Sequence, residues 1–249
     1  MQYGICQLSI VPMRAEPSDP SELVNQVLYG EHFKVVEQRK QWSRIKLTHD
    51  KYEGWIDNKQ YIEISEEDYA FAKAKQTTLT TDPVQFITTI HNQLLTVVLG
   101  SSVENIGLLK DTYEGNSHTG KTSRTLLIET ALLYLKTPYL WGGRTTFGID
   151  CSGFTQMVYR LNGFHLKRDA SQQATQGEAL SFIEESEPGD LAFFDNPDGI
   201  ITHVGIIMED NYIIHAHGEV RIDRLDHSGI YNVHKGMHTH KLRVIKKII

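Results

Sequence analysis

Cys151 stands directly after Asp150 and ahead of Ser152, Gly153 and Phe154, at the head of an amphipathic run. Asp150 is suited to cap a helix there, with Phe154, Met157, Val158 and Leu161 as its apolar stripe and Gly163 as its stop. A thiol in the first turn faces unpaired backbone N–H groups and the positive end of the helix dipole. That position lowers a thiol pKa from about 8.5 and offers donors to an oxyanion on a carbonyl attacked by the sulfur. A small buried cysteine serving only as packing is the plainer alternative. A nucleophile, however, needs a base, and the base needs an orienting partner. His203 in ITHVGII and His215 in YIIHAHG lie on two strand-like runs separated by a polar turn near Asp210–Asn211. An antiparallel hairpin brings them together, so that one imidazole takes the thiol proton and the other holds its far nitrogen.

Other histidines permit a metal reading. His215 and His217 alternate along one strand, and His234, His238 and His240 cluster near the end. No carboxylate joins them in a ligand pattern, and a metal would leave Cys151 unexplained, so no metal is expected and the late cluster reads as a solvated loop. GNSHTGKT, Gly115 to Thr122, fits the spacing of a phosphate-binding loop, and LAFFD could pose as its metal-binding strand. The strands here follow one another without intervening helices, so a nucleotide fold is the weaker alternative and an exposed loop the plainer one.

The elements that must position these groups follow from local pattern. Residues 1–64 read as short strands, HFKVVEQ and WSRIKL around a polar turn at Glu37–Gln41, with PMRAEPSDPSELVNQ as a loop and a turn at Gly54, together a small barrel. Residues 65–122 contain a linking helix at Ser65–Gln76, then VQFITTI and LLTVVLGSSV, which form either an elaborated linker or a second, reduced barrel. Residues 123–249 open with a helix carrying Leu126, Leu127, Thr130, Leu133 and Tyr134 on its inner face and ending at Pro138. The Cys151 helix and then strands at DLAFFD, THVGIIMED, NYIIHAHG and HKLRVIKKII complete an α+β order, helices packed on an antiparallel sheet.

Composition narrows the function. The 249 residues carry a formal charge of −6 with no basic tract, which argues against nucleic-acid binding, and no apolar run reaches the length of a membrane span. The first residues lack a signal-peptide pattern, and Cys6 and Cys151 make no disulfide framework, so a reducing, cytoplasmic setting is expected.

With those residues assembled, Thr125–Ile249 resembles the NlpC/P60 family of papain-like cysteine peptidases, through PYLWGG, GIDCSGF, RDASQQ, EPGDLAFF, HVGIIM and IIHA in that order. MRAEP, YGE and YEGWI resemble a bacterial SH3-like domain. The resemblance implies a papain-like catalytic domain preceded by SH3-like barrel(s), with Cys151 as nucleophile, His203 as general base, His215 as its orienter and Tyr139 as an oxyanion helper. It implies that Asp150, Ser152 and Asp169 line a pocket for the free N-terminal L-Ala of a murein peptide, beside Trp141, while Glu16 and Tyr52 of the first domain close it. Ala170 stands where some relatives have a second serine. The implied reaction is hydrolysis of the γ-D-glutamyl-L-diamino acid bond, in the branch that recycles cell-wall peptides, without a cofactor. A non-enzymatic alternative makes the SH3-like part a wall-binding module beside an inactive peptidase domain, but the retained Cys151, His203 and His215 favour an active enzyme.

Overall fold

The computed structural model describes residues 2–249. The chain divides into two compact units. One runs to Lys121 and takes in Trp141–Thr146; the other comprises Thr122–Leu140 and Phe147–Ile249. Among the described residues no helix is long and apolar enough to cross a membrane.

In the first unit β1 (Gln2–Ile5), β2 (Ile10–Arg14), β3 (Leu23–Leu28), β4 (His32–Gln38), β5 (Trp42–Leu47), β6 (Glu53–Asp57) and β7 (Ile62–Ile64) form one antiparallel sheet, ordered β3-β2-β6-β5-β4-β1-β7. Period-two alternation explains it: Phe33, Val35, Ile45 and Leu47 point into a core with Val11, Met13, Val27 and Ile56, while Arg44 faces out. The loop expected over PMRAEPSDPSELVNQ shrinks to 15–22, because strand pairing claims Pro12–Arg14 at one end and Leu23–Gln26 at the other. Gly54 is likewise a strand residue and not a turn. It lies under Met13, whose Cγ would sit 2.5 Å from an added Cβ, so the missing side chain serves close packing.

Next comes α1 (Glu66–Ala74), whose Ser65 side chain accepts from the Asp68 N–H above an acidic first turn. β8 (Thr78–Thr80), β9 (Val84–Thr88), β10 (Leu94–Val98), α2 (Ile106–Leu109), β11 (Thr112–Tyr113) and β12 (Ser117–Thr119) follow, forming a β10-β9-β11 sheet and a β12-β8 pair; β13 (Arg144–Thr145) completes the unit. Ile87, Val97 and Leu109 share one core with Ile5 of β1 and with Tyr29, the residue after β3. The phosphate-loop spacing falls on β12, where Ser117–Thr119 pair with Thr78–Thr80. Its middle three residues are thus held in a strand pair, where a phosphate cradle would need an open loop wrapped around a helix start.

The second unit holds α3 (Arg124–Leu132), β14 (Gly148–Ile149), α4 (Cys151–Leu161), α5 (Ala170–Gln173), β15 (Glu178–Leu180), β16 (Leu191–Asp195), β17 (Ile201–Ile207), β18 (Tyr212–His217), β19 (Glu219–Asp226), β20 (Gly229–Asn232) and β21 (Met237–Lys247). The sheet order is β15-β21-β16-β17-β18-β19-β20, and β20 also pairs with β21, closing the sheet on itself. Helices followed by an antiparallel sheet is the expected α+β order. The inner face of α3 differs from the expected stripe: Leu127, Ala131 and Tyr134 are buried, whereas Leu126 and Leu133 are exposed. The helix stops at Leu132, ahead of Pro138, because the chain turns at Lys136 (φ 71°) to hydrogen-bond Val220. Every residue of α4 is buried, and the helix packs on β17 and β18. One sheet face carries Phe194, Ile207, Ile213, Leu225 and Ile230 as a core. Two-residue periodicity puts His203 and Gly205 on that face with Ile207, His215 and His217 with Ile213, and Asp223 with Leu225.

Candidate active site

The Asp150 carboxylate caps α4, its Oδ1 accepting from the Gly153 N–H at 2.6 Å. Helix capping thereby fixes Cys151 as the first helical residue, as its sequence position suggested. The carboxylate does more than cap. Arg168 donates from Nη1 to Oδ1 at 2.9 Å and from Nη2 to Oδ2 at 2.6 Å, and both side chains are buried. Arg168 Nη1 also donates to the Ser152 hydroxyl at 3.0 Å. Asp150 and Ser152 are therefore held by an arginine that the sequence pattern did not single out, and the Asp150–Arg168 pair carries no net charge. Its signal was present in RDASQQ, where Arg168 directly precedes Asp169.

The Cys151 thiol is buried, and its Sγ lies 3.9 Å from the carbonyl of Thr202, the residue before His203. Burial pushes the thiol up to about 12, and the charge of Asp150 adds to the rise; the Val204 N–H, the Arg168 guanidinium and the Ser152 N–H pull the other way. This reverses the lowered pKa expected from helix position. Loss of water and a neighbouring carboxylate outweigh the helix terminus. The resting thiol is neutral, and its anion forms only as a base removes the proton. The half-buried Tyr139 also keeps its proton, because burial raises its pKa, and a negative charge on Cys151, once formed, or on Asp150 raises it further. It remains a hydrogen-bond donor in the field of the sulfur.

His203 and His215 meet as expected. The hairpin turns through Asp210 and Asn211, both at positive φ, and His203 Nε2 lies 2.8 Å from His215 Nδ1. Gly205, directly opposite His215, makes this contact possible: an added Cβ would lie 2.9 Å from the His215 Cβ. On the far side His215 Nε2 lies 3.0 Å from Asp223 Oδ2. Arg221 grips that carboxylate with two nitrogens, Nε at 2.7 Å and Nη2 at 2.9 Å. Burial holds His203 well below the usual imidazole range, and neighbouring His215, His240 and His217 push the same way. Burial also lowers His215, against the pull of Asp223.

The late histidines are not one solvated loop. His238 and His240 lie in β21, and the His240 ring stacks on His203 with centroids 4.2 Å apart at 23°. His217 meets His240 edge-on at 4.7 Å. Burial takes His240 down to about 3. His238 instead pairs with Asp226 at the surface, and His234 lies exposed between β20 and β21. Among the described residues no group of three or more His, Cys, Asp or Glu converges as metal ligands.

Residues 136–239 match the model of the NlpC/P60 family, and residues 13–60 match that of the bacterial dipeptidyl-peptidase SH3 domain. The chain joins an NlpC/P60 domain to a dipeptidyl-peptidase SH3 domain. It is 38% identical over 92 residues to the γ-D-glutamyl-L-lysine dipeptidyl-peptidase of Bacillus subtilis, covering 36% of this chain and 31% of that protein. It thus spans less than a third of that relative. Against dipeptidyl-peptidase 6 of Lysinibacillus sphaericus it is 27% identical, over 85% of this chain and 88% of that one. A crystal structure of an NlpC/P60 family protein from Bacillus cereus superposes with a TM-score of 0.79 at 19% identity, over 98% of this chain and 99% of that one, and so shares the fold.

The NlpC/P60 domain thus contains Cys151, His203 and His215 in α4, β17 and β18 and Tyr139 in the segment between α3 and β14, with Asp169 half-buried at the N-cap of α5. In the first unit, Glu16 is exposed in the loop after β2, its N–H donating to the Ser21 hydroxyl at 2.9 Å. Tyr52 packs against the SH3 core. Trp141, largely exposed, donates its indole N–H to Glu22 at 2.6 Å.

Proposed function

We propose that this chain is a cysteine endopeptidase that hydrolyses the γ-D-glutamyl-L-diamino acid bond of murein peptides bearing a free N-terminal L-Ala. The observation that carries the reading is a buried thiol at the capped start of α4, next to a strand whose imidazole is hydrogen-bonded to a second imidazole. The names of the two relatives support the substrate class.

In this reading His203 takes the Cys151 proton as Sγ attacks the D-Glu side-chain carbonyl. The C=O electron pair moves to oxygen, where the N–H groups at the start of α4 and the Tyr139 hydroxyl can donate. Collapse breaks the C–N bond, and His203 returns the proton to the departing amine. His203 then deprotonates the water that attacks the thioester, and the sulfur recovers its proton when the acid is released. With Asp150 neutralised by Arg168, Asp169 is the carboxylate assigned to the substrate ammonium, and Ser152 lines the same wall.

The test is mass-spectrometric hydrolysis of L-Ala-γ-D-Glu-meso-diaminopimelate and of its L-Lys counterpart, each beside an N-acetylated copy. Cleavage of the free peptides alone supports the amine-reading recycling enzyme. Cleavage of acetylated copies equally well removes that part of the proposal, and cleavage of none removes the activity.

A further inference from the structure

We propose that Asp223, clamped by Arg221, is a positioning residue that fixes the tautomer of His215 and, through it, that of His203. The inference follows from counting protons along a row of hydrogen bonds. Arg221 donates two, Nε to Oδ2 at 2.7 Å and Nη2 to Oδ1 at 2.9 Å, and a guanidinium has no acceptor to offer in return. Asp223 is therefore a carboxylate that only accepts, and the His215 nitrogen 3.0 Å from its Oδ2 must bear the hydrogen: Nε2–H donates. His215 is fully buried, and burial lowers its pKa against the pull of Asp223; in the neutral form this favours, Nδ1 is bare and accepts. The only hydrogen that can fill the 2.8 Å contact is then on His203 Nε2. His203 consequently presents a bare Nδ1, which is the nitrogen left to take a proton.

The remaining polar groups around the row do not supply this order. His240 meets the face of the His203 ring, not its nitrogens. His217 lies parallel to His215 with centroids 6.2 Å apart. Tautomer choice over two imidazoles thus rests on one carboxylate, two strands away from the base. Burial pushes the Asp223 carboxyl up, but the hydrogen bonds from His215 and Arg221 more than offset this and keep it ionised. Local pattern does not reveal it: in EVRIDRLD the neighbouring Asp223 and Arg224 put a charge on each face, so alternation does not tell which face is buried. Register places Arg221 opposite His215 and Asp223 opposite Ile213, on the face that carries both histidines.

The inference rests on the peptidase reading for its catalytic consequence but not for its geometry, so the experiment has two arms. Long-range ¹H–¹⁵N spectra of the resting full chain report histidine tautomers without any substrate. The expected result is a protonated Nε2 and bare Nδ1 on both His215 and His203. In Asp223→Asn the amide can donate to His215 Nε2, and the expected result is inversion of both tautomers. With the alanyl-γ-glutamyl peptide, Asp223→Asn should lower kcat by roughly 10²- to 10⁴-fold with KM changed by less than about threefold, and Asp223→Glu should recover part of the loss. A wild-type His215 protonated at Nδ1 would overturn the proposal, as would an Asn variant with unchanged tautomers or a rate within about threefold of wild type. If Asp223→Asn does not fold, the wild-type spectrum decides alone. If wild type cleaves no peptide but shows the expected tautomers, the substrate reading fails and the positioning role stands.

Discussion

Replacing Asp150 with Asn tests whether the carboxylate before the cysteine is mainly a structural counter-charge. Asn keeps a side-chain oxygen for the Gly153 N–H, so the helix cap survives. What is lost is the negative charge facing two nitrogens of Arg168, Nη1 and Nη2, and one Asn N–H now points at an arginine donor. Both side chains are buried, Asp150 7% exposed and Arg168 2%. Removing one partner of such a pair costs about 3–5 kcal/mol because the other charge is stranded. Asp150→Ala adds loss of the cap, about 1 kcal/mol. Arg168→Met should cost a similar 3–5 kcal/mol, whereas the double variant Asp150→Asn/Arg168→Met strands no charge. A coupling energy of about 2–4 kcal/mol between the two substitutions is therefore expected. Urea unfolding by circular dichroism reads the loss in each single variant as a midpoint falling by roughly 2 M for a slope near 2 kcal/mol/M, and the coupling from the four midpoints together. A single Asn variant within about 1 kcal/mol of wild type, or additive costs in the double variant, would refute the buried-pair argument.

Gly205→Ala should place a Cβ 2.9 Å from the His215 Cβ and 2.8 Å from Ile213 Cδ1, costing about 1–3 kcal/mol as overpacking. By displacing His215 it should lower kcat by about 10- to 100-fold; a fully active, equally stable variant would contradict the packing argument. Because burial holds the Cys151 thiol near 12, its thiolate fraction at pH 7 is roughly one part in 100,000. Alkylation of Cys151 by iodoacetamide, followed by peptide mass mapping, should be slow at pH 7 and rise about tenfold per pH unit through pH 10, and a plateau below pH 8 would show a preformed thiolate–imidazolium pair. His203, His215, His217 and His240 all have folded pKa values below the unfolded value, so below about pH 6.5 the unfolded chain binds more protons. Their stabilising contribution is present above that pH and is lost as pH falls. For His240, at about 3, the ceiling of about 1.4 kcal/mol per pH unit is cut roughly in half by its part exposure. Between pH 6.5 and 5 the wild type should therefore lose about 1 kcal/mol more than His240→Gln; equal losses in thermal unfolding would dismiss the effect.

What was legible in the sequence, and what was not, divides along a physical line. Cys151 and its cap were readable because an Asp, two small residues and an apolar stripe are a local signature of a helix start. His203 and His215 were readable because a short polar turn between two alternating runs forces neighbouring strands together. Asp223 and His240 were not, although His240 stands at the head of the recognisable strand HKLRVIKKII. A two-residue period says which face a side chain takes but not which residue it meets on the next strand. β21 makes the point: its pairings with β16 and with β20 each contain a register shift, between Phe193 and Phe194 and between Ile230 and Tyr231. No count along the sequence could have carried His240 onto the ring of His203. The α3 stripe failed for a related reason, since leucines at Leu126, Leu127, Leu132, Leu133 and Leu135 offer more than one apolar face and only packing on Phe154 through Tyr134 selects one. The thiol was misjudged in sign because a helix terminus is a local property while burial belongs to the finished fold. Long-range register and burial therefore decide the protonation states that local pattern leaves open. In this site they do so through groups, Arg168 on Asp150 and Arg221 on Asp223, whose partners become apparent only once the chain has closed.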